Sequence, residues 1–192
     1  MQTAAKACFV GQKDARILAP IAPPDVNPDQ ATTPTERLPP ARNDVLAGLP
    51  GRAEAEEIIR EALRRGSPIF AAVFLVDRIN VVNDCFGYAL GDRLLLEFHQ
   101  QLKAKLPAKD SICRWSGTCF VALIERRTSL ERVEAEIRHL VAQEAEIAIP
   151  LGAGAMVLAA TADWAVFPLE GVRSADSLAC SIDFYVARNL GR

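Results

Sequence analysis

Histidine, paired cysteine and net charge are all scarce in this 192-residue chain, and each scarcity excludes something. The two histidines, His99 and His139, fall in separate helical segments with no ligand spacing between them, which argues against a histidine-based metal centre. The five cysteines (Cys8, Cys85, Cys113, Cys119 and Cys180) are odd in number and show no C-x-x-C spacing. They read as reduced, mostly buried thiols rather than a disulfide frame, and so point to the cytoplasm. A formal net charge of −2 leaves no electrostatic case for nucleic acid as a partner. No apolar run approaches the roughly 18 residues of a membrane-spanning segment. The start, MQTAAKACFVGQKD, with one early lysine and a very short apolar stretch, makes a poor signal peptide. Neither a P-loop nor a G-x-S-x-G elbow occurs, and no internal repeat is visible.

What is present is ample apolar material, 50% of residues, enough for one packed domain. Seven of the twelve prolines lie in residues 1–42 (Pro20, Pro23, Pro24, Pro28, Pro34, Pro39, Pro40), with few large apolar residues among them. Proline removes backbone donors and disfavours helix before it, so 1–42 reads as a flexible tail or linker. The domain proper is expected over 43–192, opening on a short turn that Asn43 or Asp44 caps.

Periodicity places helices over 52–66, 129–146 and 174–190, the last with Ser174 as N-cap, and reads 83–106 as a turn at Gly87 to Gly91 followed by a long amphipathic helix. The run IFAAVFLV, 69–76, reads as a central strand buried on both faces. CRWSGTCFVALI, 113–124, reads as a hairpin turning at Ser116-Gly117, with strands near 111–115 and 119–125. A further strand is expected over 153–167. The Glu/Arg-rich stretch 125–138 reads as a solvated helix face. The resulting order contains strand-helix-strand-strand-helix-strand, the split βαβ pattern. The fold class is α+β: a ferredoxin- or palm-like central sheet with helices packed on one side.

Five blocks of residues resemble one family. NDVLAGLPGR (43–52) is similar to D-x-L-T-G-L-x-N-R, and DRINVVNDCFGYALGDRLL (77–95) to D-x-F-K-x-x-N-D-x-x-G-H-x-x-G-D-x-x-L. RWSGTCF (114–120) sits where R-[WYF]-G-G-[DE]-E-F belongs. FPLEGVRSADSL (167–178) and IDFYVARNLGR (182–192) resemble two C-terminal segments, Y-P-x-D-G-x-x-A-D-x-L and x-A-L-Y-x-A-K-x-x-G-R. In this order they resemble the GGDEF domains, the diguanylate cyclases. The resemblance implies a nucleotidyl-cyclase-like fold and a bacterial cyclic di-GMP pathway. It also implies a reaction in which two GTP molecules, one on each domain of a homodimer, condense to cyclic di-GMP with divalent cations, usually magnesium, held by hard carboxylate oxygens.

Carried over residue by residue, the resemblance points to a degenerate site. The acid ending the first strand falls on Leu75, and the two hairpin acids fall on Thr118 and Cys119. None of these is a good magnesium ligand. The phosphate-contacting lysine falls on Asn80, and the first glycine of the signature is Ser116. Asp77, the second acid of the strand-end pair, is the one residual metal candidate, although a cap on the short helix that follows is the role its position favours. Asn83 and Asp92 match the guanine-contacting residues, where an amide and a carboxylate complement the base edge; they also sit where the turn between two helices must be built. Arg188 stands for a phosphate-contacting lysine, and Arg192 matches the closing arginine. The inhibitory product site, R-x-x-D, falls on Pro107 and Asp110, without its guanidinium. The resemblance therefore implies a catalytically inactive module that needs no cofactor and acts through a protein partner, with or without bound GTP. The alternatives are a weak cyclase working with Mg²⁺, and a guanine-nucleotide sensor.

Overall fold

The structure, a computed structural model, describes residues 46–142, 145–151 and 154–189. The expected tail, Asn43, Asp44, Cys8 and Arg192 lie outside the described residues. The chain runs α1 (Arg52–Arg65), β1 (Ile69–Val76), α2 (Ile79–Phe86), α3 (Tyr88–Lys105), β2 (Ser111–Ser116), β3 (Cys119–Glu125) and α4 (Leu130–Leu140). It continues through β4 (Ala145–Leu151), β5 (Gly154–Ala160), β6 (Ala162–Pro168) and α5 (Ala175–Asn189). β1 is central because all eight of its residues are apolar. It pairs antiparallel with β3 on one side and β6 on the other, giving the order β2-β3-β1-β6. This is the split βαβ arrangement expected from the sequence.

The two faces of β1 are separate cores. Phe70, Ala72, Phe74 and Val76 point toward α2, α3, α4 and the β4–β5 hairpin, whereas Ala71, Val73 and Leu75 point toward α1 and α5. Strand alternation makes this division, and the expectation that helices pack on one side is corrected: helices cover both. A strand buried on both faces requires apolar residues at every position, which is why the run shows no alternation.

Three element boundaries also differ from expectation. The turn expected at Gly87 to Gly91 narrows to Gly87, whose positive φ of 86° turns the chain: α2 runs from Ile79 to Phe86, and α3 already starts at Tyr88. The helix expected over 129–146 ends at Leu140, and Ala145 already belongs to β4. The strand expected over 153–167 is two strands in different sheets, β5 with β4 and β6 with β1, divided at Thr161. Apolar periodicity cannot mark such a break, because both strands bury residues on the same side of the molecule.

The chain enters along the edge of the sheet. Arg114 N–H donates to the Pro50 carbonyl at 2.7 Å, and Gly51 bridges to Arg114, so the outer edge of β2 is partly covered. α1 then crosses the second face, closed by Gly66 in the left-handed region (φ 63°), whose N–H reaches the Ala62 and Leu63 carbonyls. Ser174 caps α5 as expected: its Oγ accepts the Ser177 N–H at 3.2 Å.

Candidate functional site

β1 and the β2–β3 hairpin bring Leu75 and Cys119 together. The two are register partners across the antiparallel pair, 2% and 1% exposed, in the core that includes Trp115, Val73 and Val121. Burial pushes the Cys119 thiol up to about 12, with the Asp183 charge adding to the shift, so the sulfur stays protonated. Thr118 is partly exposed, and its carbonyl accepts the Val76 N–H at 3.0 Å. Gly117 at the hairpin tip has φ 38°, and its carbonyl accepts from Arg114 Nε at 3.2 Å.

Asp77 lies just past the end of β1, and its N–H donates to the Thr161 carbonyl at 2.9 Å. Its carboxyl titrates higher than usual because burial disfavours the charge and because Asp163, paired with Leu75 in β6, adds a like charge; Arg78 opposes this. Asp77 does not cap α2. The N-cap is Arg78, at φ 61° in the left-handed region, and no side chain caps that helix. Among the described residues no group of three or more His, Cys, Asp or Glu side chains is arranged to hold a metal ion. The positions where the family resemblance calls for acids do not fit a hard divalent cation: Leu75 and Cys119 are buried and apolar or sulfur-bearing, Thr118 is neutral, and the carboxylates at that strand end are Asp77 and, from β6, Asp163.

The α2–α3 junction is of a different kind. Asn83, in the last turn of α2, lays its amide against Gly91 in the first turn of α3, and a Cβ built on Gly91 would overlap Asn83 Oδ1. That oxygen is buried and finds no hydrogen-bond partner among the described residues. A buried acceptor left unmade costs about 1–3 kcal/mol. Asp92, the next residue, is partly exposed. Asn80 is exposed on α2, and Arg188, exposed on α5, holds its guanidinium over the Phe184 ring at 5.6 Å.

Asp110 is sealed. Its side chain is 0% exposed and takes two bonds from Arg126: Nη1 to Oδ1 at 3.0 Å and Nη2 to Oδ2 at 2.6 Å. Arg126 also holds Glu136, with Nη2 to Oε1 at 2.6 Å. Arg126 and Glu136 thus correct the reading of 125–138 as a solvated face. Sequence gave no signal for this pairing, because the partners are 16 and 10 residues apart on different elements. A second cluster was equally hidden: Arg52 stacks over Trp115 at 4.5 Å and grips Asp183 through two 2.9 Å bonds. Of the histidines, His99 is buried against the Phe120 ring and His139 is exposed. Cys85, Cys113, Cys119 and Cys180 are all free thiols.

A family model described as "Diguanylate cyclase, GGDEF domain" matches residues 41–183. The chain belongs to the GGDEF family. Its relatives are diguanylate cyclases and other proteins of cyclic di-GMP signalling. Over 91 residues it is 37% identical to the bifunctional diguanylate cyclase/cyclic di-GMP phosphodiesterase MucR of Pseudomonas aeruginosa, a match covering 45% of this chain and 13% of MucR. Against the diguanylate cyclase SiaD of Pseudomonas aeruginosa, solved in complex with its activator SiaC, the TM-score is 0.53 at 28% identity, covering 74% of this chain and 58% of that one. Against the GGDEF domain of DgcB from Caulobacter crescentus, solved with c-di-GMP, it is 0.63 at 18% identity, covering 78% and 91%; this likeness is one of fold. The GGDEF domain spans a third or less of the length of the curated relatives MucR, DgcP and DgcZ. No helix among the described residues is long and apolar enough to cross a membrane.

Proposed function

We propose that this GGDEF domain makes no cyclic di-GMP and works as a regulatory or protein-interaction module in bacterial cyclic di-GMP signalling, in the cytoplasm, with a retained site for guanine nucleotide. One observation carries the first half. Where the family resemblance calls for carboxylates that draw charge off a triphosphate, Leu75 and Cys119 face each other inside a dry core. A divalent cation seated there would lose its water and gain no hard anionic ligand in return. With no cation to neutralise the phosphates, the positioning and electrostatic stabilisation on which phosphoryl transfer depends are missing.

The retained base site rests on Asn83, whose buried carbonyl has no partner among the described residues and whose amide is set against a glycine. A buried polar group without a partner asks for an explanation, and a ligand that pairs with it supplies one. This favours a sensor in which guanine-nucleotide occupancy alters affinity for a protein partner, whether a signalling protein or a second copy of this chain. SiaD, to which this chain is similar, is solved in complex with a protein activator, SiaC. The test is incubation of the purified chain with GTP and Mg²⁺ or Mn²⁺. No cyclic di-GMP is expected, and its formation overturns the non-catalytic reading in favour of a weak cyclase using Asp77.

A further inference from the structure

α5 packs one face against the sheet, through residues such as Ile182 and Val186, and leaves the other to solvent. Asp176, Ser177, Cys180, Ser181, Phe184 and Arg188 are all exposed. At about 3.6 residues per turn they form one continuous stripe. Phe184 lies near its middle and is 64% exposed, more than any other large hydrophobic side chain among the described residues. The positions before it, Ser177, Cys180 and Ser181, are small, so another surface can come close to the ring. Charge divides along the stripe, with Asp176 in the first turn and Arg188 in the last. Among the described residues neither forms an ion pair; the Arg188 guanidinium lies over the Phe184 ring at 5.6 Å.

We infer that this stripe docks a second copy of the chain, the two α5 helices packing antiparallel about a two-fold axis beside Ile182. A two-fold contact has to be complementary to itself, and the stripe is. Asp176 and Arg188 stand about 9 Å along the helix on either side of Ile182, so the axis lays each acid beside the partner's Arg188. It also sets each Phe184 ring against the small side chain of the partner's Cys180. A parallel pairing would instead bring like charge onto like. α1, the neighbouring helix on this side of the sheet, carries four arginines and four glutamates, so its charge balances and builds no repulsion between copies. α2 and α3 cover the opposite side of the sheet. The α5 pairing therefore turns the two α2–α3 junctions away from each other, whereas condensing two nucleotides across a dimer needs them face to face. One helix face buries less than the roughly 800 Å² per partner of a standard interface, which gives a weak dimer, with a Kd of about 10–100 µM.

Sedimentation equilibrium of the full chain without nucleotide, from about 1 µM to about 1 mM, tests this, and a monomer–dimer equilibrium is expected. Each charge reversal acts twice in a two-fold contact, so Asp176→Arg and Arg188→Asp should each weaken dimerisation by about ten-fold or more. Mixed in equal amounts, the two reversed chains should associate again, because one then offers only cations to the other's anions. Both reversals in one chain, Asp176→Arg/Arg188→Asp, should restore self-association, and Phe184→Ser should abolish it. All three side chains are exposed, and thermal melts check that each variant folds. Phe184→Ser carries the test where a reversal at a helix end does not fold. A wild-type chain that stays monomeric at about 1 mM overturns the inference, and so does a dimer that the reversals or Phe184→Ser leave intact. Reversed chains that dissociate but do not pair on mixing overturn the antiparallel two-fold arrangement. Cyclic di-GMP formation is untouched by any of these results and tests the non-catalytic reading separately.

Discussion

The indole N–H of Trp115 donates to Asp183 Oδ1 at 2.8 Å, tying the strand that leads into the hairpin to α5. Trp115 is buried, so its single donor has to find a partner inside the protein. Arg52, the first residue of α1, lies over the same ring and binds the same carboxylate, so three elements meet at one acid. Burial raises the Asp183 carboxyl, but the Trp115 and Arg52 hydrogen bonds and the Arg52 charge outweigh it and hold it below the usual range.

Asp183→Ala should therefore cost more than an exposed acid ordinarily does. The ion pair with Arg52 is well exposed and worth little by itself. The orphaned indole donor is the larger loss, about 1–3 kcal/mol. Asp183→Asn keeps an acceptor for Trp115 and should lose under about 1 kcal/mol. Urea denaturation of the two variants separates the contributions. In the wild type the depressed carboxyl adds stability above the unfolded-state pKa of about 3.9, and that contribution disappears as pH falls through the lower folded value.

Leu75→Asp, the substitution that returns the acid implied by the family resemblance, should not return function. It places a carboxylate in a position 2% exposed, opposite a protonated thiol. An unpaired buried charge of this kind costs about 3 kcal/mol or more, partly relieved by protonation. The expected outcome is a large fall in the urea midpoint that millimolar Mg²⁺ does not reverse. Recovery of stability with Mg²⁺ would show that a cation can still be seated between β1 and the hairpin.

How far the sequence could be read depended on the range of each interaction. The β1 run and the hairpin were legible because turn chemistry is local and IFAAVFLV has no polar position to expose; the turn expected at Ser116-Gly117 falls one residue later, at Gly117-Thr118, with Ser116 still in β2 and paired with Cys119. The split of 153–167 at Thr161 was not legible, since one residue between two apolar strands leaves no change of period. At the site, the identities of Leu75, Thr118 and Cys119 were plain from their place in the motif. That Leu75 and Cys119 had been absorbed into the α1/α5 core was not, because it depends on register. Nor could the sequence show that Asn83 would be left without a partner against Gly91, or that Arg126 would close over Asp110.

Arg126→Ala tests that closure. The Asp110 side chain is wholly buried, and Arg126 is its guanidinium partner, 15% exposed itself. Removing the cation leaves a buried carboxylate with only the Glu125 N–H at 3.3 Å, and breaking such a pair costs about 3–5 kcal/mol. The double variant Asp110→Leu/Arg126→Met should recover most of that loss, because the desolvation of both charges is removed together. Because the pair is sheltered, raising salt to 1 M should change the single variant's deficit little, unlike a surface ion pair. A deficit under about 1 kcal/mol would show that the pair behaves as an exposed one.

His99 is expected to make the domain sensitive to acid. It is 4% exposed, packed on Phe120 at 5.9 Å, and its Nδ1 finds no partner among the described residues. Burial, with the charge of Lys103 one turn on, lowers its pKa, so the folded protein keeps the ring neutral where the unfolded chain takes up a proton. The unfolded state then binds more protons below about pH 6.5, and unfolding free energy must fall as pH drops from there toward the folded-state value. Above about pH 7.5 both states are neutral at this residue and the dependence vanishes. Replacing the ring by an apolar side chain of similar size, His99→Phe, should flatten the stability profile between pH 5 and 7, measured as urea midpoints at fixed ionic strength. An unchanged slope would mean that the proton is taken up elsewhere, and that the buried imidazole is not what makes this domain sensitive to acid.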